Sequence, residues 1–511
     1  MKYTQQSSFY FFLTVILFTS NLNAQDCLPQ GVHFQTQEEI DFFPLNYPNC
    51  TQILGNILIE ENTPISNLDG LGQITSTGGN LVIQNNGDLE NLEGLSNIES
   101  IGGELIIHNN DALTDLNGLQ SLETVEGRLH ITHNSKIKDL SGTENIKSIE
   151  GVVDISRNAQ LEHLNSLNGL DEITHNLMIY GNPKLLTMNG LKNVQQVGNW
   201  LQIEQNDILT HLDGLDQLTK VKTLTIKENP LLQDLSNFNN LTETTGSLTI
   251  EENDALKHLD GLQHLRLVGS FFRIVNNDSL LTFGNLDSLN SIGGNVRIFS
   301  NASLENLGSL ENLTEVGSFI TIRNNPSLTS LKGLKNLTKV ESSFSIIENN
   351  SLATLEGLDN LIMVEGSLNI EENESLTQIN SLNKLASVIG RVRIALNPNL
   401  IHLNGFKNLA LVTGSVELVT NNVLENMDGF ENLGFIGSAF FIHQNHQLKN
   451  LEGFKKLKFI HGGTWIVQNN NFESMDGLDS LISINGGLRI SENPKLNSLE
   501  ALKNLTLIEE F

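Results

Sequence analysis

Four side chains could do acid–base or metal chemistry together. His108, His130 and His133 fall on neighbouring copies of a repeating unit, and Asp154 falls one unit further on. Imidazole and carboxylate groups brought together can ligate a metal or pass a proton, but no spacing here fixes their geometry. A second acidic series, Asp428, Glu452, Asp476 and Glu500, recurs every 24 residues. Its oxygens could take up Ca²⁺ weakly, although no closed cage of ligands is visible and a solvated acidic face is the plainer reading. Otherwise the search for catalysis is empty. G-x-S-x-G, H-E-x-x-H, P-loop and Rossmann glycine patterns are all missing from the sequence, so neither an enzyme nor a cofactor is expected.

Binding chemistry gives the sharper signal. Phe271, Arg273 and Val275, then Arg297 and Phe299, then Phe319, Thr321 and Arg323 occupy matching positions in three successive units. Most other units carry small or polar residues there, such as Thr225, Thr249 and Ser345. Arginine and aromatic side chains dominate binding hot spots, so stacking these units would build a patch suited to an acidic glycan or acidic protein segment. Phe441, His443, Trp465 and Val467 form a second, weaker patch in two later units.

The elements that must position these residues follow from the repeat. An Asn stands three residues after an Ile, and Leu follows three and six residues later. The asparagines are Asn62, Asn86, Asn110, Asn134, Asn158, Asn182, Asn206 and twelve more through Asn493. Every step is 24 residues except Asn206 to Asn229, which is 23, and the Ile slot holds Ile in 18 copies and Leu418 in the other. Leu81 to Glu104 is a clean unit. Its L-x-I segment has period two and predicts a short strand with Leu81 and Ile83 inward and the residue between them outward. The Asn at the following corner can turn inward and bond exposed backbone groups, and stacking would align these asparagines into a ladder. Gly94 and Gly103 mark two further turns, where backbone freedom is expected to matter. Leu89, Leu92, Leu95, Ile98 and Ile101 complete a core that no single unit can bury alone. The fold class expected is therefore all-β: a parallel β-solenoid of about 19 coils. It would be a rod of about 90 Å at the strand spacing of a sheet.

The chain has 511 residues and a formal net charge of −29. That acidity argues against nucleic acid and against an anionic membrane surface. Residues 1–24 read as a secretory signal, with Lys2 ahead of the apolar run Phe9 to Phe18 and Ala24 at the cleavage point. The run is too short to span a bilayer, and no second apolar stretch of spanning length follows it. Removing the segment moves the charge from −29 to −30. Residues 25–50 read as a cap separate from the 51–511 solenoid. Cys27 and Cys50, the only two cysteines, are a disulfide candidate in an oxidising compartment. Thr36-Gln37-Glu38-Glu39 is a capping box for a short helix that Pro44 stops. The N-x-S/T matches at Asn277, Asn301, Asn349 and Asn373 use ladder positions expected to be buried. Those at Asn240, Asn312, Asn336 and Asn504 lie off the ladder.

The stretch TQEEIDFFPLNYPNC, followed by GGxLxIxxNxxLxxLxGLxxLxxI units, resembles receptor L-domain repeats over residues 34–511. The resemblance implies a right-handed parallel β-solenoid related to leucine-rich repeats, and with the signal segment the expected location is secreted or cell-surface, extracellular or outer-membrane associated. Two departures stand out: N-x-x-L replaces the usual N-x-L, as in Asn86 to Leu89, and no sorting domain of the kind found in bacterial relatives precedes Phe511. The expected function is a non-enzymatic recognition or adhesion module for a protein or glycan ligand. A carbohydrate-binding solenoid or polysaccharide lyase, and a structural spacer, are the alternatives.

Overall fold

The computed structural model describes residues 26–509, so the signal segment lies outside the described residues. The L-x-I segments form strands of four residues in most coils, such as Leu81–Gln84, Leu129–Thr132 and Phe272–Val275. Each pairs in parallel with its counterpart one coil away and in strict register, Leu129 against Val153 and Ile131 against Ile155. The result is one long sheet running the length of the stack. A second ladder of two-residue strands, such as Ser100–Ile101 and Thr124–Val125, runs alongside it. One-turn 3-10 segments such as Glu93–Leu95 close many of the coils on the remaining side. The period-two leucines and isoleucines point inward as expected: Leu81, Ile83, Leu89, Leu92, Leu95, Ile98 and Ile101 are all fully buried. The missing residue of the 23-residue step is absorbed at a corner. Val197 pairs with Val221, but Trp200 pairs with Thr223, so the shift falls at the bend within the continuous strand Gln196–Glu204 and spares the register of the long sheet.

The N-terminal segment is less separate than its sequence suggests. Val32–Phe34 pairs with Ile57–Ile59 and supplies the first strand of the long sheet. Asp26–Cys27 pairs with Gln52–Ile53 and starts the short one. The cap therefore contributes a partial coil, and it covers an edge that would otherwise present unpaired backbone and apolar core. Helix α1, Gln37–Asp41, carries the full capping box: Thr36 accepts from the Glu39 amide, and the Glu39 carboxylate accepts from the Thr36 amide. Pro44 does not merely stop it. It sits in the first turn of a second short helix, α2, Phe43–Asn46, where its missing N–H costs nothing. Cys27 and Cys50 are joined in a disulfide, with Cα atoms 5.5 Å apart and 23 positions between them in sequence. Closing a loop of that size contributes about 3 kcal/mol in the chain-entropy account.

The asparagine ladder is present and fully buried from Asn86 to Asn469. In each rung the side-chain oxygen accepts the backbone N–H of the preceding rung's Asn, and the side-chain amide donates to the strand carbonyl of the preceding coil. For Asn110 these contacts are 3.1 Å from Asn86 N and 2.9 Å to Ile83 O. Asn62 shares the spacing but not the role: it is exposed, and its N–H goes to Gln35 O in the cap. The Asn86 oxygen accepts nothing from it in consequence. Asn277, Asn301, Asn349 and Asn373 are completely buried, so these sequons are closed to modification.

A second asparagine row was not legible as such. Asn145, Asn240, Asn336, Asn432 and Asn504 each donate their side-chain amide to a backbone carbonyl of the preceding coil, at 2.6–2.8 Å. Asn312 makes the same contact to Asp287 O. Residues read as sequons off the ladder thus belong to an external one.

Each coil also bends through a left-handed residue just before the ladder Asn. From Asn85 to Glu492 these residues are non-glycine in every coil but one, with φ values from 53° at Asn109 to 59° at Gln468. Leu396 is the least suited of them, at φ 57° and 42% exposed. Leu396→Gly is expected to raise stability by up to about 1 kcal/mol, because relief of the strained backbone exceeds the added flexibility of the unfolded chain. The reverse change at the one coil with glycine there, Gly181→Ala at φ 66°, is expected to lower it by a similar amount. Urea denaturation of both variants measures this.

Candidate ligand-binding face

Side chains between and beside the inward Leu and Ile project from the long sheet, so one face of the stack displays three parallel rows of outward residues. Three places along it hold the residues singled out in the sequence.

The first is the histidine cluster. Asp154 Oδ2 lies 3.0 Å from His130 Nδ1. Thr132 Oγ1 then lies 2.9 Å from both His130 Nε2 and His108 Nδ1. His133 packs edge-on against His108 with centroids 5.0 Å apart, and Arg157 Nη1 stands 3.3 Å from His133 Nε2. The sequence read these residues as neighbours, and they are. The shared hydroxyl is the unexpected part: Thr132 is 1% exposed and bridges two rings that are themselves part-exposed. Among the described residues no group of three or more His, Cys, Asp or Glu side chains could hold a metal ion. Asp428, Glu452, Asp476 and Glu500 form no such group either, in keeping with a solvated acidic face. These carboxylates sit one per coil, and Lys455 and Lys503 stand within 4 Å of Glu452 and Glu500.

Burial, reinforced by His133 and His130, holds the His108 imidazole below its ordinary pKa. The folded state therefore prefers neutral His108, while the unfolded chain takes up a proton near pH 6.5. This contribution is complete above that pH and is lost as pH falls through and below it. A thermal melt series from pH 7.5 to 5 is expected to show a shallower decline for His108→Gln than for the parent. The difference should be a fraction of a kcal/mol, because the ring is part-exposed.

The second place is coils 10 to 12, counting the coil of Asn62 as the first. Register sets Arg273 beside Arg297 and Val275 beside Phe299, then Arg297 beside Thr321 and Phe299 beside Arg323. Phe271 is 51% exposed just ahead of its strand, and Phe319 holds the same position two coils on. The residues singled out in the sequence thus share one surface, with two changes in character. Val275 is covered, at 5% exposure. Two of the three guanidinium groups are also taken. Arg273 donates from Nε and Nη2 to Glu251 at 2.9 and 3.1 Å, and Arg323 likewise to Glu348 at 3.0 and 2.9 Å. Those carboxylates hold the two arginines charged but occupied. Arg297 instead lies over the Phe319 ring, 5.1 Å from its centroid. The acidic partners could not be foreseen, because they come from neighbouring coils 22 to 25 residues away in sequence.

The third place, at coils 15 to 19, has more relief than its sequence suggests. A groove of about 570 Å³ is lined by Phe441, Trp465, Val419, Val467, His443 and Gln468, with Arg393, Glu417, Arg489 and Glu492 at its margins. The Phe441 and Trp465 rings stack 4.5 Å apart and 9° from parallel. Glycine makes this possible: a Cβ on Gly463 would sit 2.1 Å from the Trp465 ring. Beneath the sheet the core turns aromatic. Phe406, Phe430 and Phe454 stack at 4.8 and 5.1 Å, and Phe440 packs edge-on against Phe454.

A family model described as Receptor L domain matches residues 49–128, 123–220 and 387–477, slightly more than half of the chain. No curated protein matches the sequence. Among solved structures, the TLR13–ssRNA13 complex aligns at 17% identity over 90% of this chain and 70% of that one, with a TM-score of 0.25. An internalin, inlF, from Listeria monocytogenes str. 4b F2365 aligns at 15% identity over 86% and 88%, with a TM-score of 0.22. A leucine-rich repeat protein from Bacteroides ovatus ATCC 8483 aligns at 11% identity over 72% and 82%, with a TM-score of 0.20.

Proposed function

The chain belongs to the receptor L domain family, and we propose that it is an extracellular, non-enzymatic recognition module whose ligand docks on the outward face of the long sheet. One observation carries the reading. Inward positions barely vary along the stack, whereas outward positions gather aromatic and arginine side chains at defined places and leave Phe271 half exposed. A spacer needs no such gathering, since exposed aromatic rings lower solubility without return. The disulfide of the cap fits an oxidising compartment. No helix among the described residues is long and apolar enough to cross a membrane.

At coils 10 to 12 the contact residues proposed are Phe271, Arg297 and Phe319, flanked by Phe299 and by the Glu-paired Arg273 and Arg323. The ligand there is an acidic glycan or protein segment, met by the one guanidinium not already engaged by a carboxylate. The test is binding of fluorescently labelled protein to intact cells and to a glycan array. A Phe271→Ala, Arg297→Ser, Phe319→Ala variant is expected to lose at least tenfold in affinity, the order of one hot-spot cluster. Undiminished binding on both surfaces, with unchanged circular dichroism, would remove this patch from the account.

A further inference from the structure

We infer that the groove over coils 15 to 19 is a binding site for a neutral oligosaccharide, an inference that rests on the long-sheet face being the recognition surface. Its charges decide first. Arg393 and Arg489 are balanced by Glu417 and Glu492 along the margin, and Arg393 already donates to Glu417 at 2.9 Å. Arg393 also donates to Glu371 at 2.9 Å, so no surplus positive charge remains here to recruit an anionic ligand.

The groove offers instead what a sugar ring uses. Phe441 and Trp465 provide apolar surface for C–H groups. His443, Gln468 and Glu492 provide acceptors and donors close together, which suits hydroxyl groups able to do both. These polar side chains are held in place before any ligand arrives. His443 Nε2 lies 2.9 Å from Gln468 Oε1, and Gln468 Nε2 donates to Glu492 Oε2 at 2.6 Å. The rings are held too, by their mutual stacking and by the notch at Gly463. Preorganisation of this kind lowers the ordering cost of binding. Four coil steps give the groove a length of roughly 19 Å, enough for several linked sugars in a row, and its volume lies in the range of ligand sites.

The chain has two tryptophans, Trp200 and Trp465. Trp200→Phe therefore leaves Trp465 as the only indole reporter. The probes are hexamers of β-1,4-glucan, β-1,3-glucan, mannan, xylan and chitin, with oligogalacturonate as an acidic arm and a lysine-rich peptide as a basic one. The expected result is a saturable change in Trp465 emission with at least one neutral hexamer. In calorimetry on the parent protein, binding of that hexamer should weaken about tenfold on Phe441→Ala or Trp465→Ala, the worth of one aromatic contact. Gly463→Ala should weaken it as well, by displacing the Trp465 ring. The inference is overturned if no neutral hexamer binds, if binding is unchanged in both ring variants, or if only the acidic or basic probe perturbs Trp465. The recognition reading fails separately, on the Phe271–Arg297–Phe319 variant, which touches none of these residues.

Discussion

Asn277→Ala is expected to destabilise the middle of the stack by about 3–5 kcal/mol, a large loss for a single side chain. The Asn277 oxygen accepts the Asn253 backbone N–H at 3.1 Å and the Asn253 side-chain amide at 3.3 Å. Its amide donates to Ile250 O and Val275 O, both at 3.0 Å. Alanine leaves the Asn253 N–H and the Ile250 carbonyl buried without partners, and each such group costs about 1–3 kcal/mol. Asn277→Asp restores the acceptor but not the donor and buries a charge, so it is expected to be no better. Asn295→Ala, on the outward face of the next coil, should stay within about 0.5 kcal/mol of the parent. Because coils contact only their neighbours, the loss should appear locally. Hydrogen exchange should accelerate in coils 9 to 11 and stay unchanged near the cap.

Gly94→Ala carries the second large effect. A Cβ at Gly94 would lie 1.7 Å from the Leu68 carbonyl oxygen and 2.0 Å from its carbon, both backbone atoms that cannot step aside. The two coils must separate or the 3-10 segment Glu93–Leu95 must deform, at an expected cost of about 3 kcal/mol or more. Thermal denaturation against Gly72→Ala separates crowding from ordinary glycine effects, since a Cβ at Gly72 meets only Asp69 O, at 3.5 Å. Gly72→Ala should be nearly neutral.

Gly94 also marks where sequence reasoning named the right residue for a different reason. Its place in the repeat predicted a turn needing backbone freedom, yet what it supplies is room for the coil before it. Close approach between coils depends on atoms 24 to 26 residues away, which a linear pattern does not display. The same distance hid the carboxylates that occupy Arg273 and Arg323. By contrast, the period-two strands, the inward Leu and Ile positions and the buried ladder were legible, because each follows from a local rule repeated with one exception in spacing. The external asparagine row shows the limit of that approach. The position of Asn240 and Asn336 holds Asn in ten of the 19 coils, a sequon offered a ready reading for some of them, and only the geometry displays the carbonyls they meet. The groove at coils 15 to 19 was read as the weaker patch because small residues such as Ala439 and Gly463 look empty in sequence. In the folded chain Gly463 is the space into which the Trp465 ring folds.

The central claim is that recognition takes place on the outward face of the long sheet, and blocking that face tests it most directly. Single cysteines can be placed at Thr321, outward in its strand, or at Lys332, on the segment Lys332–Leu334 away from the sheet, and each coupled to a bulky maleimide–polyethylene glycol. The native cysteines are joined to each other and do not compete for the label. Binding of the fluorescent protein to cells and to acidic glycans on the array should be lost with the group at Thr321 and retained with the group at Lys332. Retention with Thr321 blocked, and loss with Lys332 blocked, would place the ligand on the other side of the stack and contradict the account.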